Sequence, residues 1–122
     1  MARPANILII DDSHSSRTKL TEILEAQGYL VAVATTAEEA VPVFNDQEFD
    51  LVITELMLPG MSGLNMMKII KDKRPDCDVV IISSNASSFN TLKSLRQGAY
   101  DFIVKPIDDE TVLYNVIERA LE

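Results

Sequence analysis

Tryptophan is absent from this 122-residue chain, and it holds one cysteine, one histidine and four glycines. With Cys77 alone, no intrachain disulfide can form, which accords with a reducing compartment. Its simplest role is that of a small filler near a strand start. Basic residues are also scarce. Eleven Lys and Arg stand against 19 Asp and Glu, a net charge of −8, so the domain is expected to bind neither nucleic acid nor an anionic membrane. No apolar run approaches the ~20 residues of a membrane span. The opening MARPANILII is too short for a signal segment with its cleavage site and reads as a first strand. No linker, repeat or low-complexity stretch divides the chain. Residues 1–122 are therefore expected to form one domain, placed in the cytoplasm and large enough to bury a core without disulfides or metal. At 47% apolar and 25% charged, the composition is that of a globular domain.

What is there is an alternation. Strand-like runs fall near Ile7–Ile10, Leu30–Ala34, Leu51–Thr54, Val79–Ile82 and Tyr100–Val104. They are rich in Val, Ile and Leu, mostly without period two, the pattern of parallel strands buried on both faces. Helical spacing lies between them. Leu20, Ile23 and Leu24 precede a stop at Gly28. Thr36-Ala37-Glu38-Glu39 is a capping box for a helix whose apolar face is Ala37, Ala40, Val41 and Phe44. Pro42 should kink that helix or make it irregular. A third helix runs from Gly63 to about Lys73. A mostly polar fourth covers Ser87–Gln97 with Leu92 and Leu95. A fifth starts at an Asp108 cap and buries Leu113, Val116, Ile117 and Ala120. This is a (βα)5 pattern, and right-handed crossovers place helices on both faces of one parallel sheet.

In such sheets ligands bind beyond the carboxyl ends of the strands. Those ends carry Asp11-Asp12, Glu55, Ser83-Ser84 and Lys105-Pro106, while Ala34-Thr35-Thr36 is chemically mild. Clustered carboxylates repel unless a cation intervenes. A few hard oxygen ligands suit Mg²⁺, which often binds together with phosphate. A lysine supplies a compact charge for a phosphate oxygen, and a serine can donate to another. The set suits phosphoryl transfer to a carboxylate, where positioning and charge neutralisation supply most of the rate. Each piece has a plainer reading alone: a turn with a helix cap, loop polar groups, an exposed lysine. Their joint placement on four strand ends is what carries the inference.

The chain resembles the receiver domain of bacterial response regulators over essentially its whole length. The resemblance rests on Asp11-Asp12, on DLVITELMLPGMSG (Asp50 to Gly63), on Ser83 lying 22 positions before Lys105, and on GAYDFIVKPI (Gly98 to Ile107). It implies a flavodoxin-like three-layer sandwich with strand order 2-1-3-4-5. It implies a sensor histidine kinase as phosphodonor and an acceptor at position 55. Mg²⁺ would sit on Asp11, Asp12, residue 55 and the Met57 carbonyl. Ser83 and Lys105 would engage the phosphate, Phe102 would be the switch aromatic, and the Lys105-Pro106 bond would be cis, an isomer proline tolerates. Output would run through the fourth helix, fifth strand and fifth helix, toward a homodimer, an effector or a kinase. The resemblance implies a domain that relays a signal and is not itself an enzyme.

The acceptor position holds Glu55 where the family has aspartate; a lesser departure is Ser62, where many relatives have an acid. Glutamate is longer by one C–C bond, roughly 1.5 Å, and an error near 1 Å can cost ~100-fold in a positioned reaction. Poor or absent phosphoryl acceptance, and weakened Mg²⁺ binding, are therefore expected. Three readings stay open. Glu55 holds the domain in an active-like, phosphorylation-independent state; or it pairs with Lys105 as an inert strut in a docking module; or it is an introduced mimic, or itself phosphorylated, in an ordinary receiver.

Rivals from other classes fit less well. A flavin-binding relative needs a phosphate loop after the first strand. Ser13, Ser15, Ser16 and Thr18 would donate there, but Asp11 and Asp12 would repel phosphate. A metal-dependent phosphatase wants acids two residues apart, and these are adjacent. His14 reads as a solvated residue at a helix start, and Met57, Met61, Met66 and Met67 as packing.

Overall fold

Strand and helix alternate without interruption in the computed structural model, which describes residues 3–85 and 87–122. The strands are β1 (Asn6–Ile10), β2 (Leu30–Ala34), β3 (Leu51–Glu55), β4 (Asp78–Ser83) and β5 (Asp101–Val104). The helices are α1 (His14–Ala26), α2 (Ala37–Asp46), α3 (Gly63–Lys73), α4 (Ser88–Arg96) and α5 (Glu110–Ala120). All strands are parallel, in the order β2-β1-β3-β4-β5. This is the flavodoxin-like order expected above.

The pleat sends successive side chains to opposite faces of the sheet, and two cores result. Leu8, Ile10, Val52, Val79 and Ile81 pack with Phe44, Met66, Met67 and Ile70 of α2 and α3. Ile7, Ile9, Leu51, Ile53, Val80, Ile82 and Ile103 pack with Leu20, Leu24, Leu113 and Ile117 of α1 and α5. Nearly every side chain of β1, β3 and β4 is buried, which explains why those strands lack alternation.

Each helix opens on a short oxygen-bearing side chain that accepts a backbone N–H. Ser13, Thr36, Ser62, Ser87 and Asp109 fill this place. The α5 cap is therefore Asp109, not Asp108. Asp109 Oδ1 takes the Thr111 N–H at 2.9 Å, whereas Asp108 stays exposed one residue too early. The capping box also closes differently. Thr36 caps Glu39 N as expected, but the Glu39 carboxylate reaches past it to the N–H and hydroxyl of Thr35. α2 runs unbroken across Pro42, contrary to the irregularity expected from the ring. Leu92 and Leu95 of α4 are 53% and 39% exposed, and the helix buries Ser94 instead.

Cys77 is a buried filler at the foot of β4. Burial pushes its thiol up to about 11; Lys71 and Arg74 oppose this, and Asp78 and Asp50 add to it. A folded-state value above the unfolded one stabilises the fold below the unfolded value near 9.0. That stability is lost as pH rises through the folded value. Cys77→Ala should therefore flatten the pH dependence of urea unfolding between about 9 and 11. An unchanged slope would count against a buried thiol.

Candidate functional site

Three backbone bonds carry the sheet ladder one step past the strands. Asp11 N–H donates to Ala34 O at 3.1 Å, Leu56 N–H to Ile82 O at 3.0 Å, and Lys105 N–H to Ser83 O at 2.9 Å. The chain is thus still held by its neighbours where the polar side chains begin. Pleat parity then sorts them. Glu55 continues the face of Leu51 and Ile53, and Lys105 that of Ile103, both toward α1 and α5. Ser83 and Phe102 take the opposite parity, and Phe102 is half-buried against the α2/α3 core.

Lys105 Nζ lies 2.8 Å from Asp11 Oδ2 and 2.6 Å from Glu55 Oε2. One ammonium bridges carboxylates from β1 and β3. Asp11 is completely enclosed and Glu55 is 6% exposed. Burial by itself would lower the Lys105 pKa, but hydrogen bonds and charge from Asp11 and Glu55 outweigh it and hold it above its ordinary value. Asp11 is saturated further. Its Oδ2 accepts the Ser16 hydroxyl at 2.6 Å, and its Oδ1 the Ser13 N–H at 3.0 Å. Glu55 Oε1 accepts the Met57 N–H at 3.4 Å. Asp12 is exposed.

Ser83 Oγ accepts the Asn85 N–H at 3.0 Å, which leaves its O–H free to donate. The Lys105-Pro106 bond is cis. A cavity of about 580 Å³ opens over these groups, lined by Asp12, Ser16, Lys19, Glu55, Ser83 and Lys105 among others.

The chain matches the family model of the response regulator receiver domain over residues 7–117. It belongs to that family. Among curated relatives it is similar to the transcriptional regulatory protein GlrR of Escherichia coli K12, with 32% identity over 120 residues, 98% of this chain and 27% of GlrR. It is 31% identical to the DNA-binding transcriptional regulator NtrC of Proteus hauseri, covering 95% of this chain and 24% of that one. The chain thus spans about a quarter of the length of these relatives. Among solved structures, NtrX from Brucella abortus superposes with a TM-score of 0.90 at 35% identity, over 97% of this chain and 27% of NtrX. The beryllofluoride-activated NtrC4 receiver domain dimer superposes with a TM-score of 0.87 at 30% identity, over 95% of each chain.

Of the expected site residues, this receiver domain brings Asp11, Glu55 and Lys105 into direct contact. Asp12, Met57 and Ser83 border the same cavity or its rim, and Phe102 lies on the other face. Receiver domains generally take Mg²⁺ here, yet in this chain Lys105 already holds the carboxylates that would bind it. Each oxygen of Asp11 and Glu55 already accepts a hydrogen bond or an ion pair, and Asp12 is left alone. Among the described residues, no three acidic, histidine or cysteine side chains are grouped to hold a metal.

Sequence reasoning missed three supporting residues. Ser16, a phosphate donor in the flavin reading, donates to Asp11 instead. Glu38 reaches from α2 to the Met61 N–H at 3.1 Å and pins the loop that follows Glu55. Gly63 packs on the Glu55 carbonyl so closely that a Cβ would lie 2.1 Å from that oxygen. The Pro-Gly-rich loop announced a turn, but nothing local distinguished Gly63 as the tight contact.

Proposed function

We propose that this receiver domain of a two-component response regulator works without phosphorylation at position 55. The observation that carries the reading is the 2.6 Å contact between Glu55 Oε2 and Lys105 Nζ. The longer acid already engages the lysine that would otherwise meet a phosphoryl oxygen. It also directs a carboxylate oxygen into an ion pair, where it is a poor nucleophile. Lys105 and Ser83 are the phosphate-sensing pair and Phe102 the switch aromatic in this assignment.

A second reading has one observation in its favour. Glu55 engages Lys105, whereas Ser83 bonds to Asn85. Only half of the phosphate-sensing pair is occupied, which supports an inert strut in a docking module over a full imitation of the phosphorylated state.

For partners, we assign the α4-β5-α5 face to a sensor kinase, an effector module or a second copy of the chain. Phe89, Leu92, Tyr100, Val104 and Val112 are exposed there. Lys93 and Arg96 on α4 are exposed, as are Asp108 and Asp109 before α5, and charges of both signs favour pairing between complementary surfaces. The dimeric NtrC4 receiver supports the second-copy option. The GlrR and NtrC relatives support a place within a transcriptional regulator and a cytoplasmic location. Among the described residues no helix is long and apolar enough to cross a membrane.

The test is to incubate the domain with acetyl phosphate and MgCl₂ and read the intact mass. The expected result is an unchanged mass. A stoichiometric phosphoryl adduct that maps to Glu55 would overturn the proposal.

A further inference from the structure

We propose that Lys105 is the resident cation of this site, with its ammonium standing in for a divalent metal and excluding it. The inference deepens the reading of Glu55 as the acceptor-position residue. Mg²⁺ demands oxygen lone pairs at 2.0–2.1 Å in near-octahedral array and gives up its waters reluctantly. Asp11 and Glu55 are among the residues that would supply those lone pairs, and Lys105 bridges one oxygen of each at 2.8 and 2.6 Å. Two cations cannot share that gap, because their repulsion is strong where the carboxylates are screened from water.

Three further contacts compete for the same carboxylates. Ser16 Oγ takes a second lone pair of Asp11 Oδ2 at 2.6 Å, and the Ser13 N–H occupies Oδ1. The Met57 N–H occupies Glu55 Oε1. Asp12 remains, and one exposed carboxylate is a poor magnesium site. The second cation of the cavity, Lys19, is engaged elsewhere, with its Nζ donating to Ile107 O at 2.7 Å. The length of residue 55 is what makes the bridge. An aspartate on the same backbone would end roughly 1.5 Å short and leave Lys105 on Asp11 alone. Asp11 and Glu55 together outweigh the single ammonium that bridges them, so removing it should let a metal in.

The experiment is a Mg²⁺ titration followed by calorimetry, with Mn²⁺ broadening of the Asp12, Glu55 and Met57 amide signals as a second readout. No phosphodonor is present, so the result is separate from phosphoryl acceptance. The parent domain should show no saturable binding at millimolar Mg²⁺, and its thermal midpoint should be the same in EDTA and in MgCl₂. Lys105→Met removes the charge and keeps the length. It should bind roughly 10- to 100-fold more tightly, the range by which groups around a metal site tune affinity, and its midpoint should rise with MgCl₂ because the metal binds only the native state. Lys105→Arg keeps the charge and should behave like the parent. Should Lys105→Met fail to give a folded circular dichroism spectrum, Glu55→Asp decides, and it too should gain Mg²⁺ binding. Tight binding by the parent overturns the proposal. So does a folded Lys105→Met, or a Glu55→Asp, that binds no better than the parent.

Discussion

Glu55→Asp turns the domain into a phosphoryl acceptor, with labelling by acetyl phosphate faster than that of the parent by roughly 100-fold, the scale set by a misplacement of about 1 Å. The substitution deletes one methylene and leaves the backbone in place. Residue 55 is the last of β3, paired with Ile82 of β4, and the next residue is still held by the Leu56–Ile82 bond. The lost burial is one methylene, worth about 0.8 kcal/mol, well within what a domain tolerates. Two changes then act together. The carboxylate retreats from Lys105, which frees an oxygen for attack, and the attacked phosphorus is met at the distance the cavity allows. Lys105 and Ser83 stay where the sheet holds them, ready for the transferred phosphoryl oxygens. Intact mass against time measures the rate. A Glu55→Asp domain that folds but labels no faster than the parent would show that the defect lies outside position 55, with the saturated Asp11 as the first suspect.

The largest loss of stability is expected from Gly63→Ala. The backbone conformation of Gly63 is that of an ordinary helix start; what it lacks is room. An added Cβ would lie 2.1 Å from the Glu55 carbonyl oxygen, 3.0 Å from its carbon and 3.1 Å from Leu56 Cα. All three are backbone atoms at the end of a central strand, so no side chain can swing aside. The strand end or the first turn of α3 must move. Either shift strains the Gly63–Leu56 hydrogen bond of 2.9 Å, and a displaced strand end also strains the Leu56–Ile82 bond. Overpacking of this kind costs about 3 kcal/mol, a fall of roughly 10 °C in thermal midpoint for a domain of this size. Urea unfolding gives the value directly. A loss below about 1 kcal/mol, a minor surface-type effect, would mean that the loop yields easily and that the close packing on Glu55 is not a constraint. Ala at exposed Asn65, two residues on, is the comparison and should change little.

Much of the site was legible because chemistry-bearing residues end strands, and strand ends are marked locally by where apolar runs stop. Asp11, Glu55, Ser83 and Lys105 were each found in that way. Their partners were not, since a contact between Asp11 and Lys105 spans 94 positions of chain. It depends on the register of three strands and the rotamers of two side chains. Ser83 shows the same limit from the other side. It sits at the right strand end but with the opposite pleat parity, and it accepts the neighbouring N–H of Asn85. The α4 leucines show a related limit. Their spacing is helical, but whether a helical face is buried depends on how the helix docks, and α4 leaves that face to solvent.

From the sequence alone came the alternation of five strands and five helices, the single parallel sheet, the carboxyl-end mouth and the glutamate at position 55. These follow from short-range physics: hydrophobic period, capping oxygens, and glycine at turns. Only the tertiary structure decided which acids Lys105 holds, that Ser16 and Met57 complete their coordination, that Gly63 has no space for a methyl group, and that α5 is capped by Asp109. Those are outcomes of packing at ångström scale, where one carbon–carbon bond in Glu55 sets what the ammonium can reach.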